Sequence, residues 1–450
     1  MREYEELVKE YRQLETPATI RRDAIIRSLP KPARFNMYHV VVGMRRSGKS
    51  FYLYQMIGGL VGEGFDPRRI FYFDFSDDRL EPILPGCGSD VIEEYYRQVP
   101  EARELGAYLF LDEVQELDDW QGLLKRLAQN EKVTLVVTGS SAKLSSEELG
   151  TKSRGRSHSH VLLPLSFREY CRFAGEDALA ESVARDAALS RADKTRLSGL
   201  FDRFLPEGGF PGTFGMTSAD RIEVLQGYVR DVVARDVAER QGRSDIALAM
   251  QLARFALRNT GCDFSLNNLS ETLTGLGYKA NWAKLSELSG LMQQAYLYRL
   301  MPEFTMQLKP STTAVPKSYA IDQGLAFAVS RANQQDIGKR LETVTYLELV
   351  RRLAGSRMDA VTSWNSGGAS REKIDFVVGD ALGDGAYRAV QVCAAMESEK
   401  TRRRELRGLS SAMGVFGLSS SEVVTLDQEE TISVDAGEVR VVPAWRWLLQ

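Results

Sequence analysis

Uninterrupted runs of apolar residues recur along the first third of the chain, and the segments between them have helical periodicity. The runs "YHVVV", "RIFYFDF", "AYLFLDE", "KVTLVVT" and "HVLLPL" begin at residues 38, 69, 107, 132 and 160. Strands of a parallel sheet have this pattern because helices cover both faces of the sheet. The pattern therefore predicts an α/β fold with a doubly covered parallel sheet over residues 36–173.

The first of these runs leads into "GMRRSGKS", which fits the spacing Gly-x-x-x-x-Gly-Lys-[Ser/Thr] of a phosphate-binding loop. Gly43 and Gly48 permit backbone conformations that point successive N–H groups at phosphate oxygens. Lys49 supplies a cation for the β- and γ-phosphates, and Ser50 supplies a hydroxyl for Mg²⁺. The predicted nucleotide-binding residues here are Gly43, Arg45, Arg46, Ser47, Gly48, Lys49, Ser50 and Phe51.

A second motif supports the same chemistry. The run "AYLFLDE" ends in Asp112 and Glu113, which is typical of a Walker B strand. Asp112 is predicted to hold Mg²⁺, directly or through water, and Glu113 to orient and polarise the attacking water. The run "KVTLVVTGSS" ends in Thr138 and Ser140, which are predicted to touch the γ-phosphate or the water as a sensor. Because "RIFYFDF" lies between the two motifs, the order is typical of P-loop ATPases with an added central strand.

With these motifs the chain resembles a family of prokaryotic AAA-type ATPases related to the STAND signalling ATPases. In that family the P-loop domain is followed by a C-terminal domain of unknown function. The matching segments include "VVTGSSAKLSSEELGTKSRGRS", "LPLSFREY", "EGGFPGTF" and "YAIDQGLAFA", and they run through most of the chain. The resemblance implies ATP rather than GTP. It also implies that Arg154 and Arg156 contact the γ-phosphate in cis or from a neighbouring subunit, with two solvated loop arginines as the alternative.

The chain of 450 residues is long enough for about three domains. Its net charge of −3 provides no global basic field for nucleic acid, and the basic run "KTRRRELR" is interpreted as a solvated helix face. Four scattered cysteines predict neither a disulfide framework nor a zinc knuckle. The segment from His158 to His160 is too short and too isolated to be interpreted as a metal site.

The opening segment "MREYEELVKEYRQLE" is charged and predicts an amphipathic helix rather than a secretory signal. No uncharged apolar run is long enough to span a bilayer. We therefore expect a cytoplasmic protein without membrane contact, and no segment of the sequence marks an oligomeric state.

The pattern divides the chain into an N-terminal helix and approach segment (1–35), a P-loop ATPase core (36–173), a helical lid (174–240), a winged-helix-like domain (241–330) and a restriction-endonuclease-like α/β domain (331–450). Ser265 is a predicted N-cap that opens the helix-turn-helix of the fourth segment. Its second helix, about 281–294, would contact DNA. That helix offers only Lys284 as a base-reaching cation, so packing between domains is favoured over DNA contact.

The last segment has the layout of PD-(D/E)xK nucleases, in which acids bind Mg²⁺ and a lysine positions the hydrolytic water. Glu342, on a predicted helix, and Asp375, on a predicted strand, occupy the acidic positions. Gln391 and Cys393 stand where Glu-x-Lys is required. The sequence thus predicts a degenerate site that does not cut DNA, with a displaced lysine such as Lys373 as the route by which activity would survive.

Three functions from different classes are compatible with these features. The first is an ATPase that hydrolyses ATP with Mg²⁺ and whose nucleotide state repositions C-terminal modules that bind DNA or a protein. The second is a slow, STAND-like nucleotide switch with little turnover. The third is an ATP-gated DNA nuclease. Glu113 favours hydrolysis over binding alone, and the missing Glu-x-Lys argues against the nuclease.

Overall fold

The computed structural model describes residues 4–139, 144, 156–237, 245–305, 315–330, 335–353, 360–366, 372–379 and 387–450. The chain divides into two compact units, residues 1–162 and residues 163–450. The sequence had predicted five segments, of which the first two lie mainly in the first unit and the other three in the second. The boundaries inside the second unit remain predictions.

The first unit is an alternation of strands and helices. Its helices are α1 (Glu5–Gln13), α2 (Lys49–Gly62), α3 (Cys87–Gln98), α4 (Pro100–Leu105) and α5 (Trp120–Asn130), with 3₁₀ turns at Pro67–Arg69, Asp78–Leu80 and Val114–Glu116. Its strands are β1 (Tyr38–Val42), β2 (Ile70–Asp74), β3 (Ala107–Asp112), β4 (Val133–Thr138) and β5 (Ser157–Val161). Four of the five predicted strands are therefore confirmed within a residue, and the predicted N-terminal helix is present but shorter than the segment 1–15 that predicts it.

The five strands form one parallel sheet in the order β2-β3-β4-β1-β5. β4 thus lies between β1, which leads into the glycine-rich loop, and β3, which carries the acidic pair. This is the inserted central strand that the order of the motifs predicts. β1, β3 and β4 are buried along their whole length, as the apolar runs require for inner strands of a covered sheet.

The fifth strand differs from its prediction. It spans Ser157–Val161 rather than "HVLLPL", and its side chains are less buried than those of the inner strands. β5 lies at the edge of the sheet, where no further strand of the described residues pairs with it, so polar residues are tolerated there. Apolarity alone therefore placed this strand about three residues too late.

One face of the sheet packs on α2 and on the segment before β1. The apolar cluster there joins Val41, Phe110 and Val136 of the strands to Tyr52 and Leu53 of α2. The approach segment is tied to α2 because the hydroxyl of Tyr52 accepts the N–H groups of Ile25 and Ile26, each at 3.1 Å. The segment that precedes the sheet is thereby fixed to the helix that follows the glycine-rich loop.

The second unit is helical at first and mixed afterwards. Its helices are α6 (Phe167–Phe173), α7 (Asp177–Ala184), α8 (Arg191–Glu207), α9 (Ser218–Asp231), α10 (Ile246–Arg258), α11 (Leu266–Gly275), α12 (Trp282–Gln294), α13 (Gln323–Val329), α14 (Ile337–Arg352), α15 (Glu399–Phe416) and α16 (Ala444–Trp447), with a 3₁₀ turn at Pro211–Thr213 and a π-helix at Val232–Val237. Its strands are β6 (Cys262–Asp263), β7 (Tyr298–Met301), β8 (Lys317–Ala320), β9 (Val361–Asn365), β10 (Lys373–Val378), β11 (Arg388–Val392), β12 (Ser420–Thr425), β13 (Glu430–Val434) and β14 (Gly437–Pro443).

Two sheets organise this unit. The smaller sheet has three antiparallel strands in the order β6-β8-β7, and along the chain its strands alternate with α10, α11 and α12. The larger sheet has six strands in the order β13-β14-β12-β11-β10-β9. In it β9, β10 and β11 are antiparallel neighbours, whereas β12 is parallel to β11. α14 precedes this meander and α15 joins β11 to β12.

The motifs "GGFP" and "AIDQG" meet in the core of the second unit. The carboxylate of Asp322, which is 1% exposed, accepts the N–H of Gly209 at 2.6 Å and the N–H of Leu325 at 3.1 Å. A side chain at Gly208 would collide with this carboxylate, since a Cβ there would lie 2.3 Å from Oδ1. Burial raises the pKa of Asp322 to about 6. The two motifs are therefore held together by hydrogen bonds and close packing inside the second unit.

Candidate functional site

The glycine-rich loop connects the carboxyl end of β1 to the amino end of α2. Gly43 has φ +153°, and a Cβ there would lie 2.3 Å from the carbonyl oxygen of Leu162, so only glycine fits. Gly48 adopts a left-handed conformation, φ 97°, as the N-cap of α2. Arg46 also has a positive φ of 67°. The loop is thus wound as a phosphate-binding loop requires, with a helix N-terminus directly behind it.

Two polar side chains of the loop, Lys49 and Ser47, are buried, and both carry hydrogen-bond donors of the kind that an anionic ligand requires. Lys49 is 6% exposed, and its Nζ donates to the carbonyl oxygens of Gly43 at 3.2 Å and Met44 at 3.4 Å. Ser47 is fully buried, and its hydroxyl makes no hydrogen bond within the described part of the chain. The guanidinium of Arg22, which sequence reasoning missed, donates to the carbonyl of Ser47 at 2.9 Å. Side chains from the approach segment therefore support the loop.

The carboxylate of Asp112 is held from two neighbouring strands. Asp112 is fully buried at the end of β3. The hydroxyl of Tyr72 on β2 donates to its Oδ2 at 2.9 Å, and the hydroxyl of Thr138 on β4 donates to Oδ1. The hydroxyl of Thr138, which was predicted to touch the γ-phosphate or water, lies on this carboxylate, and its contact with phosphate or water remains a prediction. Thr138 thus positions Asp112.

Glu113 lies directly after the strand, in an unusual backbone conformation. Its φ of 49° is left-handed, which is uncommon for a residue with a side chain and is concentrated at functional sites. Its N–H donates to the hydroxyl of Thr138 at 3.2 Å, and Gln115 donates to its carboxylate at 2.6 Å. The side chain is half-buried. The same threonine therefore orients both members of the acidic pair.

A third carboxylate, which sequence reasoning missed, lies at the same edge. Asp74 ends β2 directly beside Asp112 in the register of β2 and β3. Ser76 donates to it through its N–H and its hydroxyl, both at 2.8 Å. Burial is the main reason why the pKa of Asp74 is raised, and the neighbouring carboxylate of Glu113 adds to the effect. The sequence signal for Asp74 was its position as the last residue of "RIFYFD", because the carboxyl ends of parallel strands meet at the same edge of a sheet.

The predicted arginines and the remaining loop residues are placed as follows. Arg156 precedes β5, whose register sets Ser157 opposite Tyr38, so it lies at the amino end of β1. Five strand residues separate that end from the glycine-rich loop by about 16 Å, farther than an arginine reaches. The structure therefore excludes the cis contact of Arg156 with a γ-phosphate, and a contact from a neighbouring subunit remains a prediction. Phe51 is exposed, whereas Ser140 and Arg154 lie outside the described residues.

These residues fit ATP with Mg²⁺. The wound loop leaves no space for a side chain at Gly43, and the buried Ser47 hydroxyl is available as a donor. Ser50, in the first turn of α2, and Asp112 provide the oxygen ligands that Mg²⁺ prefers. Lys49 and the helix N-terminus provide the positive potential that phosphates require. The described residues of the first unit therefore provide donors for the phosphates and oxygen ligands for the cation.

A separate polar cluster lies in the second unit, between the small and the large sheets. Nζ of Lys317, on β8, lies 3.0 Å from Oε1 of Glu342 and 3.2 Å from Oδ1 of Asp375. The hydroxyl of Tyr319 also donates to Glu342, at 2.6 Å. Burial, and then the charge of Asp375, raise the pKa of Glu342. Sequence reasoning brought the two acids together correctly but missed the lysine, because Lys317 precedes both by a long stretch of chain.

The neighbouring positions of this cluster are also engaged. Gln391 accepts the N–H of Asp375 at 3.0 Å and donates to the buried carboxylate of Glu405 at 2.7 Å. The Sγ of Cys393 donates to the carbonyl of Ala395 at 3.2 Å, and burial raises the pKa of this thiol. Lys373, the displaced lysine considered from sequence, is exposed at the start of β10. The ammonium between the carboxylates is therefore that of Lys317.

The helix predicted to contact DNA has little free positive charge. Nζ of Lys284, on α12, pairs with Asp245 at 2.7 Å and with Glu287 at 3.6 Å. Leu285, Leu288 and Met292 of the same helix are buried. Both observations agree with packing as the main role of this helix. Among the described residues, no helix is long and apolar enough to cross a membrane.

Comparisons with known proteins extend over the whole chain. An uncharacterized protein of Methanocaldococcus jannaschii is 27% identical over 456 residues, which cover 99% of this chain and 95% of that protein. An uncharacterized protein of Haemophilus influenzae is 26% identical over 80% of this chain and 84% of its own length. The structure of the Aeropyrum pernix Orc1 protein in complex with DNA aligns with 74% of this chain and 92% of its own, at 15% identity and a TM-score of 0.29. A TM-score this low carries no inference.

Family models match two segments of the chain. Residues 198–336 match a family described as a domain of unknown function, which includes the three-stranded sheet and Lys317. Residues 36–171 match a family described as an AAA domain, and this range contains the glycine-rich loop, the acidic pair and all five strands of the parallel sheet. Residues 36–171 are therefore an AAA-type P-loop domain.

Proposed function

We propose that the protein is an ATPase that binds ATP with Mg²⁺ in the first unit and hydrolyses it. The observation that carries this proposal is the geometry of the acidic pair. Asp112 is buried and held by Tyr72 and Thr138, whereas Glu113 is half-buried and turned by its left-handed backbone. One carboxylate is thus fixed as a metal ligand, and the other remains available to a water molecule.

Each residue has a defined task in this proposal. Bound Mg²⁺ would neutralise charge that develops on the phosphate oxygens. Gly43 and Gly48 would direct loop N–H groups at the phosphates, and Lys49 would leave its carbonyl partners and turn to them. Ser50 and Asp112 would hold the cation. Glu113 would orient the attacking water and accept its proton.

We further propose that the nucleotide state repositions the modules of the second unit, which bind DNA or a protein. The order of α10, β6, α11, α12, β7 and β8, with β8 between β6 and β7, supports a winged-helix-like module. The order of α14, the antiparallel β9–β11, α15 and the parallel β12 supports a nuclease-like module. Binding without cutting is favoured, because Lys317 pairs with both carboxylates and Gln391 offers no negative charge.

The second candidate is a slow, STAND-like switch, which differs from the proposed ATPase only in its rate of ATP hydrolysis. Glu113 favours turnover, since a switch needs no residue to activate water. The experiment measures the ATPase rate of the purified chain with and without DNA, together with particle mass with and without nucleotide. Multiple turnovers per minute that require Mg²⁺ support the ATPase. Tight nucleotide binding with less than one turnover per hour would support the switch and contradict the ATPase.

A further inference from the structure

The histidines of the first unit lie together although they are far apart in the sequence. His39 is on β1, and His158 and His160 are on β5, where the parallel register places His39 beside His158. One nitrogen of each ring lies within 4.8 Å of the corresponding nitrogens of the other two. These are all three histidines of the chain. Their side chains lie on one face of the sheet because positions 158 and 160 are two apart on a strand.

Hydrogen bonds fix the ring orientations. Nδ1 of His160 lies 3.2 Å from the carbonyl oxygen of Ile25, and its Nε2 lies 3.0 Å from Nδ1 of His39. Because a carbonyl oxygen only accepts, Nδ1 of His160 carries the proton and the Nε2 lone pair faces His39. A backbone carbonyl that accepts the other ring N–H of a ligating histidine is the usual outer partner in metal sites.

The three rings differ in their exposure to solvent. His39 and His160 are each 9% exposed, whereas His158 is exposed. The two rings that lie nearest to each other are therefore shielded from water, whereas the third faces the solvent from which an ion would enter.

We propose that His39, His158 and His160 form a binding site for a divalent transition-metal cation of the Zn²⁺ type. Three imidazole nitrogens at about 2.0–2.1 Å from such an ion lie about 3.3 Å from one another. The nitrogens of His39 and His160 already have nearly this separation. The nitrogen of the exposed His158 ring has to approach the other two by at most about 1.5 Å, which a rotation of its side chain provides.

The chemistry of the ligands selects the ion. Imidazole suits Zn²⁺, Cu²⁺ and Ni²⁺, whereas Mg²⁺ and Ca²⁺ prefer oxygen. This site is therefore distinct from the Mg²⁺ site proposed at Ser50 and Asp112. Three protein ligands with an exposed third ring leave the fourth position of a tetrahedral ion open to water.

A bound ion would cross-link three parts of the first unit. It would join β1 to the edge strand β5 and, through His160 and the carbonyl of Ile25, to the approach segment. That segment also contacts the glycine-rich loop, through Arg22 and the carbonyl of Ser47. We therefore expect the metal to raise the thermal midpoint of the first unit, because an ion that binds only the folded state stabilises it.

The test uses the full chain without a polyhistidine tag, after treatment with a chelator. Zn²⁺ is titrated against a chromophoric competitor, and Co²⁺ serves as a spectroscopic probe of the ligands. We expect one equivalent of Zn²⁺ in the parent chain and in the control Ser159→Ala, whose side chain lies on the opposite face of the same strand. Binding is expected to weaken at least tenfold in both His158→Ala and His160→Gln. His158 is exposed, so its variant keeps the fold.

The outcomes are distinguishable. A Co²⁺ complex without sulfur-to-metal absorption, lost in His158→Ala, supports the site. Absence of binding at micromolar Zn²⁺, or binding that survives His158→Ala, would overturn it, and sulfur-to-metal absorption would assign the ion to cysteines instead. The variant Lys49→Ala should retain Zn²⁺ binding, so failure of the proposed ATPase and failure of the metal site are separate results.

Discussion

The phenolic hydroxyl of Tyr72 lies 2.9 Å from Oδ2 of Asp112, so a residue on β2 fixes the carboxylate that ends β3. Thr138 binds the other oxygen from β4. The position of this carboxylate is therefore set by three adjacent strands rather than by its own side-chain torsions. An acid with both oxygens engaged keeps its orientation before any cation arrives, which reduces the cost of ordering it.

Removal of the Tyr72 hydroxyl should raise the Mg²⁺ concentration that ATP hydrolysis requires. In Tyr72→Phe, we expect the Mg²⁺ concentration for half-maximal ATPase activity to rise by about tenfold, because a hydrogen bond to a charged group contributes about 1.5–3 kcal/mol. Tyr108→Phe is the matched control, a buried tyrosine on the neighbouring strand. Equal Mg²⁺ dependence in Tyr72→Phe and the parent chain would show that Thr138 alone positions the carboxylate.

Lys49→Ala tests the glycine-rich loop. Its ammonium lies on two loop carbonyls and is the cation available to the β- and γ-phosphates. We expect ATP affinity to fall by at least about tenfold, since a charge-assisted bond of about 1.5–3 kcal/mol is lost. Equilibrium titration of a fluorescent ATP analogue provides the measurement, and Lys125→Ala, an exposed lysine of α5, is the control. Unchanged affinity in Lys49→Ala would refute the phosphate-binding assignment.

Lys317 should stabilise the second unit. Replacement by methionine leaves Glu342 and Asp375 buried without their cation, and breaking such a buried pair costs about 3–5 kcal/mol. Lys339→Met is the control, since its ion pair with Asp336 is at 3.7 Å and partly exposed. Urea unfolding followed by tryptophan fluorescence measures the difference. If both variants unfolded at the same urea concentration, the cluster would not contribute to stability.

The protein should not cut DNA. Plasmid DNA with Mg²⁺ or Mn²⁺, with or without ATP, should remain intact, because Gln391 supplies no carboxylate for a metal ion and the ammonium of Lys317 is paired with both Glu342 and Asp375. Cleavage that disappears in Asp375→Ala would contradict this prediction, and cleavage that persists would indicate contamination. Gain of cleavage on combining Gln391→Glu with Cys393→Lys would support a degenerate site directly.

Features carried by contiguous sequence were predicted well. The glycine-rich loop, the acidic pair and β1–β4 are read from local spacing and apolar runs, and Glu342 and Asp375 lie on a helix and a strand as predicted. Features that depend on distant residues were missed. Lys317 reaches Glu342 and Asp375 only through the packing of two sheets, and His39 meets His160 only through strand pairing. The edge strand β5 was predicted about three residues too late, because its polar histidines interrupt the apolar pattern by which a strand is recognised.

The placement of Thr138 shows the same limit. A polar residue at the end of β4 is visible in the sequence, but which of two partners it contacts depends on the register of β3 and β4. The hydroxyl of Thr138 donates to the carboxylate of Asp112 and accepts a hydrogen bond from the N–H of Glu113. Sequence reasoning therefore singled out Thr138 without finding these two contacts, and its role as a sensor remains a prediction.

The most direct test of the account is the ATPase rate of Glu113→Gln beside its ATP affinity. The amide is nearly the size of the carboxylate but accepts no proton from water. We expect ATP affinity to stay within a few-fold of the parent chain and the hydrolysis rate to fall by roughly 10²–10⁴-fold. A variant that hydrolyses ATP at the parental rate would contradict the account, since Glu113 would then not activate the water.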